Sequence, residues 1–316
     1  MAVTRQHRRR TPPTDLPEPS LLPFELVDDR LASPPMVSVV DGARSHLDVP
    51  IATVLGWRPL KVDVHLPEEG DGPFPVCVYA HGGAFVGGVK AMGPWGTLPS
   101  LGIAVVSVDY RLASEVVYPD SAEDIISAIR WVRSAPARYH LDPTRVSGWG
   151  SSAGAYLLGR AAVADGLSLG TPVPELARHS STLDAVVLHY PVTDWLRRAD
   201  DAERGLEGEM AERRVWHAIR RVFGVEIGEC EPVRAGSIIG AVEQARAVPP
   251  FHIAHGDADT TVPIDQSRSL LTALSARGVE AELIEVPGEE HGTPAFSEPD
   301  IVGPAVRFLT STWGRR

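Results

Sequence analysis

The fold of this chain is decided by residues 145–154, Arg-Val-Ser-Gly-Trp-Gly-Ser-Ser-Ala-Gly, together with the helix-forming residues that follow them. Arg145–Trp149 is predicted to be a strand, and the small and apolar residues 155–164 are predicted to be a helix. Between them, Gly-Ser-Ser-Ala-Gly matches Gly-x-Ser-x-Gly, which places Ser152 on a sharp strand-to-helix turn with its hydroxyl projecting from the sheet. The start of the helix also favours developing negative charge. The stretch therefore predicts Ser152, rather than Ser151, as a nucleophile.

On both sides of this turn, short apolar runs alternate with helical patterns. Strands are predicted at residues 62–66, 76–80, 103–108, 184–189, 251–254 and 281–286. Helices are predicted at residues 119–133, around residues 270–278, and in a last segment that ends near residue 313. Repeated strand–helix units indicate an α/β fold, with a mainly parallel sheet flanked by helices and with functional loops at the carboxyl ends of the strands.

Two segments do not follow this alternation. Residues 1–49 begin with several arginines and continue with a Pro-rich, acidic stretch, so we predict a partly disordered N-terminal arm, followed by the α/β domain at residues 50–316. Within that domain, residues 191 to about 246 are rich in charge and contain no strand-like run. Because apolar residues recur at helical spacing between Val215 and Phe223, we predict that this segment is an inserted helical cap.

The charge balance restricts the partners of the chain. The 41 acidic and 30 basic residues give a net charge of −11, which disfavours binding to nucleic acid or to an anionic membrane surface. No apolar run approaches the roughly 18 residues of a membrane span, and no apolar stretch of a secretion signal follows the basic first ten residues. We therefore expect a cytoplasmic protein that acts on a small molecule, and we also consider a homodimer.

Lysine and cysteine are too scarce for several kinds of chemistry. Only Lys61 and Lys90 accompany 28 arginines, and no Gly-Lys-Ser or Gly-Lys-Thr occurs, which excludes the P-loop of nucleotide hydrolases. The two cysteines, Cys77 and Cys230, provide neither a disulfide framework nor a metal-ligand cluster. We therefore expect neither a metal nor a cofactor.

A second motif, His-Gly-Gly-Ala-Phe at residues 81–85, directly follows the strand predicted to end at Ala80. Its small residues permit a tight turn that points backbone N–H groups toward the space in front of Ser152. Such donors stabilise the oxyanion of a tetrahedral intermediate, by about 3 kcal/mol each. The predicted oxyanion hole consists of Gly82, Gly83, Ala84 and Ala153.

Two further loops at predicted strand ends supply partners for a serine nucleophile: residues 255–259, His-Gly-Asp-Ala-Asp, and residues 289–292, Glu-Glu-His-Gly. A serine hydroxyl is a poor nucleophile at neutral pH, so it needs an imidazole base and a carboxylate that orients the imidazole. Of the eleven histidines, His291 alone lies in the loop after the last strand and is predicted as the base. Asp259 is the preferred acid, with Asp257 as its competitor and with Glu289 and Glu290 as more distant alternatives.

In combination, these segments resemble the α/β-hydrolase superfamily of serine esterases, specifically the bacterial carboxylesterases related to hormone-sensitive lipase and the bifunctional feruloyl and acetyl xylan esterases. The resemblance covers roughly residues 50–190 and 247–293, and includes HGGAF, VDYRLASEVVYPDSAEDIISAIRWV, LDPTRVSGWGSSAGAYL and the run from HGDADTT to GEEHG. It implies the α/β-hydrolase fold, in which nucleophile, acid and base follow one another along the chain. It also implies Ser152, Asp259 and His291 in those three roles.

The chain departs from the family pattern at three positions. Ala84 stands where many lipase-like members have a third glycine, and Ala155 stands after the serine turn where another glycine is common. Both changes bear on the shape of the pocket near the oxyanion hole. Glu115 replaces the proline usually found after motifs similar to Tyr-Arg-Leu-Ala, which bears on the local loop. The segment Asp109-Tyr-Arg111 matches a family segment that we interpret as structural.

These observations predict a serine hydrolase that cleaves the ester or lactone bond of a small soluble substrate through an acyl-enzyme. With the same nucleophile, the chain would alternatively be an acyltransferase, a cyclase, an amidase or a peptidase. A different alternative is a hydrolase-fold binding protein that has lost catalysis.

The aromatic residues expected to line an apolar substrate pocket are Phe85, Trp195, Trp216 and Phe223. For those on the helix stripe between residues 215 and 223, packing against the core is the preferred interpretation. The cap also carries six arginines, for which contact with an anionic substrate competes with the preferred interpretation of a solvated helical face. They are Arg197, Arg198, Arg213, Arg214, Arg220 and Arg221.

Overall fold

The computed structural model describes residues 36–37, 40–54, 58–134, 136–201, 209–226 and 230–313, and its centre is a nine-stranded sheet. The strands are β1 (Met36–Val37), β2 (Ala43–Ala52), β3 (Leu60–Pro67), β4 (Phe74–Ala80), β5 (Ala104–Asp109), β6 (Leu141–Ser151), β7 (Val186–His189), β8 (Phe251–Gly256) and β9 (Ala281–Val286). Their order is β1-β2-β3-β5-β4-β6-β7-β8-β9. The pairs β1–β2, β2–β3 and β3–β5 are antiparallel, and the other five pairs are parallel. The prediction of a mainly parallel sheet is confirmed.

Helices cover both faces of this sheet. They are α1 (Asp120–Arg133), α2 (Ala153–Ala162), α3 (Trp195–Asp201), α4 (Glu209–Phe223), α5 (Glu231–Ala235), α6 (Ile238–Gln244), α7 (Asp265–Ala276) and α8 (Pro299–Trp313). Because successive residues of a strand point to opposite faces, Val78 joins the core beneath α1 and α2, whereas Cys77 and Tyr79 join the separate core beneath α8. None of the described helices has the length and apolar character needed to cross a membrane.

The parallel strands place the loops with the predicted site residues at one edge of the sheet. Strands β4 and β7 are buried along almost their whole length, as expected for strands covered on both faces. Since β4, β6, β7, β8 and β9 run parallel to one another, their carboxyl ends meet at the same edge of the sheet. The loops at residues 81–85, 151–153, 255–262 and 287–293 therefore lie close together.

The two segments outside the predicted alternation have different outcomes. The predicted boundary between residues 49 and 50 falls inside β2, which pairs with β3 along most of its length. Residues 1–35, and with them the predicted disorder of the arm, lie outside the described residues. Between β7 and β8 the described chain forms helices α3 to α6, at the place where a helical cap is predicted.

Candidate active site

Ser152 lies at the sharp turn between β6 and α2, with backbone angles of φ 51° and ψ −116°. Because residues other than glycine rarely adopt positive φ, surrounding contacts must hold this turn, and one of them is the hydrogen bond from Ser152 N–H to His189 O at 2.9 Å. A Cβ atom on Gly150 would lie 2.6 Å from Gly154 O, and a Cβ atom on Gly154 would lie 2.1 Å from Ala80 O. The two glycines thus allow α2 to approach both β6 and the end of β4.

A chain of hydrogen bonds joins Ser152 to the loops after β8 and β9. Oγ of Ser152 lies 2.8 Å from Nε2 of His291, and Nδ1 of His291 lies 2.7 Å from Oδ2 of Asp259. Because Nδ1 faces a carboxylate, it carries the ring proton and leaves Nε2 free to accept from the serine hydroxyl. By contrast, Ser151 is buried, and its hydroxyl accepts a hydrogen bond from Tyr79 OH at 3.0 Å.

The carboxylate of Asp259 is completely buried and receives donors on both oxygens. Oδ1 accepts from the N–H groups of Thr261 and Val262, at 2.9 and 2.8 Å, and Oδ2 faces His291 and also Nε2 of His255, at 3.2 Å. Burial alone would raise the pKa of Asp259, but these hydrogen bonds outweigh it and hold the pKa well below its ordinary value. The group therefore stays ionised beside His291.

The three alternative acids are bonded elsewhere. Oδ1 of Asp257 accepts from Gly288 N–H at 2.6 Å, Glu289 accepts from the hydroxyl of Thr293, and Glu290 accepts from Thr260. Within the described part of the chain, no hydrogen bond links any of these three carboxylates to His291. Across the same residues, no three His, Cys, Asp or Glu side chains are grouped so that they could hold a metal ion.

The residues predicted for the oxyanion hole all line the space in front of Ser152. Gly83 and Ala84 have φ of 129° and 52°, so this turn continues in a left-handed conformation although the second residue is alanine. A Cβ atom on Gly82 would lie 3.4 Å from Cβ of Ser152. Among the described residues, no acceptor is present for the backbone N–H groups of Gly83, Ala84 and Ala153. The oxyanion hole therefore stays a prediction for these N–H groups.

The segment Asp109-Tyr-Arg111 packs against the turn at residues 81–85, in agreement with its structural interpretation. Tyr110 OH donates to His81 O at 2.9 Å, and the two rings stack with their centroids 4.5 Å apart. The guanidinium of Arg111 donates to both oxygens of Asp124 on α1, at 2.7 and 2.9 Å, and both side chains are buried. Charge-assisted bidentate pairs of this kind are geometrically demanding, so they fix the end of β5 against α1.

Glu115 closes the loop after β5. Its carboxylate accepts from Nε of Arg58 at 2.8 Å and from the N–H of Leu112 at 2.9 Å. The same Arg58 also donates to the carboxylate of Asp109 at 3.0 Å. An ion-pair network therefore holds the loop in this chain.

A pocket of about 810 Å³ opens in front of Ser152. Phe85 and Trp195 line it, with their ring centroids 5.8 Å apart. Trp216 and Phe223 are not among its described lining residues: Phe223 is buried against Tyr118, and Trp216 is half-buried against the main core. The physical reason is that the apolar stripe of α4 faces the core, which is the preferred interpretation of that stripe.

The six cap arginines do not share one environment. Arg198 and Arg214 line the pocket, which departs from the preferred interpretation of a wholly solvated face. Arg220 and Arg221 are exposed outside it, and Arg220 pairs with Glu226 at 3.2 Å. Arg197 lines a second, shallower depression. The side chain of Arg213 lies outside the described residues.

The sequence reasoning missed several of the lining residues, and Tyr190 is one of them. Tyr190 follows β7 with φ 41°, and its ring lies edge-on to the His291 ring with the centroids 4.7 Å apart. Its position directly after the carboxyl end of a predicted strand is the signal that could have identified it.

The BD-FAE family model matches residues 62–274 of the chain. Esterase LipC of Mycobacterium tuberculosis is 33% identical over 227 residues, which are 70% of this chain and 53% of LipC. Carboxylesterase NlhH of the same organism is 29% identical over 263 residues, or 81% of this chain and 76% of NlhH. The chain therefore spans about half the length of LipC and three quarters of NlhH.

Solved structures give the same result for the fold. A truncated form of a carbohydrate esterase from gut microbiota superimposes with a TM-score of 0.75 and 26% sequence identity, covering 89% of this chain and 100% of the other. The family match covers about two thirds of the sequence and includes Ser152 and Asp259. The chain belongs to the BD-FAE family of α/β-hydrolase esterases.

Proposed function

We propose that this chain is a serine hydrolase that cleaves carboxylic esters through a covalent acyl-enzyme. The observation that carries the proposal is the continuous hydrogen-bonded path from Oγ of Ser152 through the imidazole of His291 to the buried carboxylate of Asp259. A serine hydroxyl becomes nucleophilic when an adjacent imidazole accepts its proton and a carboxylate stabilises the resulting imidazolium. The esterase relatives support the same reaction class.

In the first half of the reaction, Oγ of Ser152 attacks the ester carbonyl while Nε2 of His291 accepts the hydroxyl proton. The N–H groups of Gly83, Ala84 and Ala153 are placed to donate to the carbonyl oxygen as it becomes an oxyanion. His291 then gives its proton to the leaving alkoxide, and the alcohol departs. In the second half, water repeats these steps on the acyl-enzyme and releases the carboxylic acid.

The pocket is suited to a small substrate, because its volume of about 810 Å³ lies within the range of small-molecule sites. Phe85, Trp195 and Val192 give it apolar surface, and Thr260, Thr261 and Tyr190 give it polar groups. We therefore expect short or medium acyl esters, or lactones, as substrates.

A fluorophosphonate probe tests the nucleophile. We expect covalent labelling of the wild-type chain on the peptide that contains Ser152, and no labelling of Ser152→Ala. The matched variant Ser151→Ala should still be labelled at Ser152, because the buried Ser151 hydroxyl is bonded to Tyr79. A folded wild-type sample that takes up no probe and hydrolyses no nitrophenyl ester would overturn the proposal.

A second assay defines the bond that is cleaved. Nitrophenyl esters of increasing chain length are compared with a lactone and with anilides of the same acyl groups. Faster turnover of esters than of anilides is expected, and a strict preference for anilides would assign amide hydrolysis instead.

A further inference from the structure

The ring of Tyr190 packs directly against the imidazole of His291, the base of the proposed reaction. The two ring centroids lie 4.7 Å apart, and the ring planes meet at 64°. Among the residues that the structure describes, Tyr190 is the only aromatic side chain in ring contact with His291. Rings at this separation and tilt attract each other beyond the effect of the area that they bury. The contact therefore opposes movement of the His291 ring.

The hydrogen bonds of His291 do not fix its ring completely. Nε2 faces Oγ of Ser152 and Nδ1 faces Oδ2 of Asp259, and within the described part of the chain the imidazole has no further hydrogen-bond partner. Both bonds are directed along the ring plane, so the ring can still tilt about the line that joins its two partners. The side chain of His291 is also 18% exposed, so it is not enclosed on all sides. Packing of another side chain against the ring is needed to restrain this tilt.

The proposed reaction removes one of these two hydrogen bonds. As Oγ of Ser152 bonds to the substrate carbon, His291 must deliver its proton to the leaving oxygen instead. Asp259 is then the one hydrogen-bond partner of the imidazole that is left among the described residues. A displacement of about 1 Å in a reacting group can lower a rate by about 100-fold. A restraint on the ring should therefore affect kcat more than KM.

The side chain of Tyr190 is itself held in place. The residue is buried, and its N–H donates to Ala254 O at 2.8 Å. Its ring meets the ring of Phe296 edge-on, with the centroids 4.6 Å apart. Its hydroxyl interacts with the side chain of Ser151, and a Cβ atom on Gly292 would lie 3.6 Å from that hydroxyl. The imidazole of His291 thus packs against a ring that has little freedom to move.

We propose that Tyr190 is a positioning residue, whose ring keeps the imidazole of His291 in the orientation required for proton transfer at Nε2. The inference rests on the proposed ester hydrolysis and adds a residue that acts through His291. The ring carries this role rather than the hydroxyl, because the contact with His291 is between the two rings. Burial raises the pKa of Tyr190, so its hydroxyl stays protonated and does not compete with His291 as a base.

Steady-state kinetics on a nitrophenyl ester separate the ring from the hydroxyl. Tyr190→Leu removes the ring, so we expect kcat to fall by about 10- to 100-fold with little change in KM. Tyr190→Phe keeps the ring and should retain most of the wild-type kcat. Tyr190→Met fills the space with a flexible side chain that has no ring. It should behave as Tyr190→Leu does, and it takes the place of that variant if Tyr190→Leu does not fold.

Proton NMR reports the orientation of the imidazole directly. The proton between Nδ1 of His291 and the Asp259 carboxylate lies in a short, charge-assisted hydrogen bond, so its resonance is expected far downfield. This signal should be kept in Tyr190→Phe, and it should be broadened or lost in Tyr190→Leu.

Tyr139→Leu is the matched control. Tyr139 is also a buried tyrosine that stands edge-on to a histidine, with its ring centroid 5.1 Å from that of His46, and it is not among the described residues that line the pocket. This variant loses a comparable ring contact away from Ser152, so both kcat and the downfield signal should be close to those of the wild type.

A higher KM with unchanged kcat in Tyr190→Leu would make Tyr190 a substrate-binding residue and overturn the inference. Equal losses in Tyr190→Phe and Tyr190→Leu would also overturn it, as would a loss in Tyr139→Leu as large as that in Tyr190→Leu. In each case Ser152-dependent turnover by the wild type would leave the proposed function standing. Absence of all ester turnover in the wild type would overturn the proposed function itself.

Discussion

His255 Nε2 lies 3.2 Å from Oδ2 of Asp259, the same oxygen that faces His291 Nδ1. His255 is completely buried; Nε2 also lies 2.8 Å from Val262 O, and Nδ1 lies 2.7 Å from Oγ of Ser267. Because both partners of Nε2 are acceptors, this nitrogen must carry a proton, and in the uncharged ring Nδ1 accepts from the Ser267 hydroxyl. The acid of the proposed catalytic path is therefore held by two histidines.

Replacing His255 should reduce turnover, although Ser152 and His291 are unchanged. His255→Leu takes away a hydrogen bond to a buried charge, worth about 1.5–3 kcal/mol, so we expect kcat/KM to fall by about 10- to 100-fold. His255→Gln, whose amide nitrogen can replace Nε2 as a donor, should retain much more activity. Steady-state kinetics on a nitrophenyl ester, with circular dichroism as the check of folding, measure both. Equal losses in the two variants would assign His255 a packing role only.

The pH dependence of stability should show the ionised state of Asp259. Its pKa is lowered in the folded protein, so ionisation stabilises the fold fully above the unfolded-state pKa of about 3.9, and the stabilisation is lost as the pH falls toward the lower folded-state pKa. Asp259→Asn lacks this contribution. Urea unfolding between pH 3 and 7 should therefore show the largest difference between wild type and variant above about pH 5, and a shrinking difference below about pH 4.

The same Asp259→Asn variant should lose activity by about 10⁴-fold, because an amide cannot hold His291 in the required tautomer. Asp257→Asn serves as its control, since Asp257 bonds the N–H of Gly288 rather than His291. A greater loss of activity in the control than in Asp259→Asn would transfer the role of acid to Asp257.

Sequence reasoning predicted correctly which residues lie together where the order and direction of the strands alone determine their position. Ser152, Asp259 and His291 all follow strands of one parallel sheet, so the strand pattern brings them to the same edge. For Trp216 and Phe223 it left the pocket and the core as two open interpretations, because helical spacing shows which face of α4 is apolar but not which apolar surface that face meets. Strand β2 was also missed, since it lies near the antiparallel edge of the sheet and mixes buried with exposed residues instead of forming an apolar run.

Gly154, two residues after Ser152, should be required for folding of the turn. In Gly154→Ala the added Cβ would lie 2.1 Å from Ala80 O, a backbone atom at the end of β4 that cannot move alone. We expect a loss of about 3 kcal/mol or more in the free energy of unfolding, with loss of activity. Gly87→Ala is the matched change, because no atom lies within 4 Å of the added Cβ there. Urea denaturation of both variants checks this, and similar stabilities would contradict it.

Removing one partner of the buried Arg111–Asp124 ion pair should lower the free energy of unfolding. Arg111→Met leaves the buried carboxylate of Asp124 without its partner, so we expect a loss of about 3–5 kcal/mol in the free energy of unfolding. The double variant Arg111→Met/Asp124→Leu removes the isolated charge and should recover part of that loss. Urea denaturation of the single and double variants provides the comparison. A cost below about 1 kcal/mol for the single variant would show that the charge is solvated after all.

The hydrogen bond from Arg198 to the carbonyl of Thr261 joins the cap to the loop that follows β8. Thr261 also donates its N–H to Asp259, so a single residue contacts both the cap and the carboxylate of the proposed catalytic path. A cap transplanted from a relative to change selectivity would have to supply its own donor to that carbonyl. We therefore expect exchange of the whole segment between β7 and β8 to change the rate of turnover, even though none of the proposed catalytic residues lies within it.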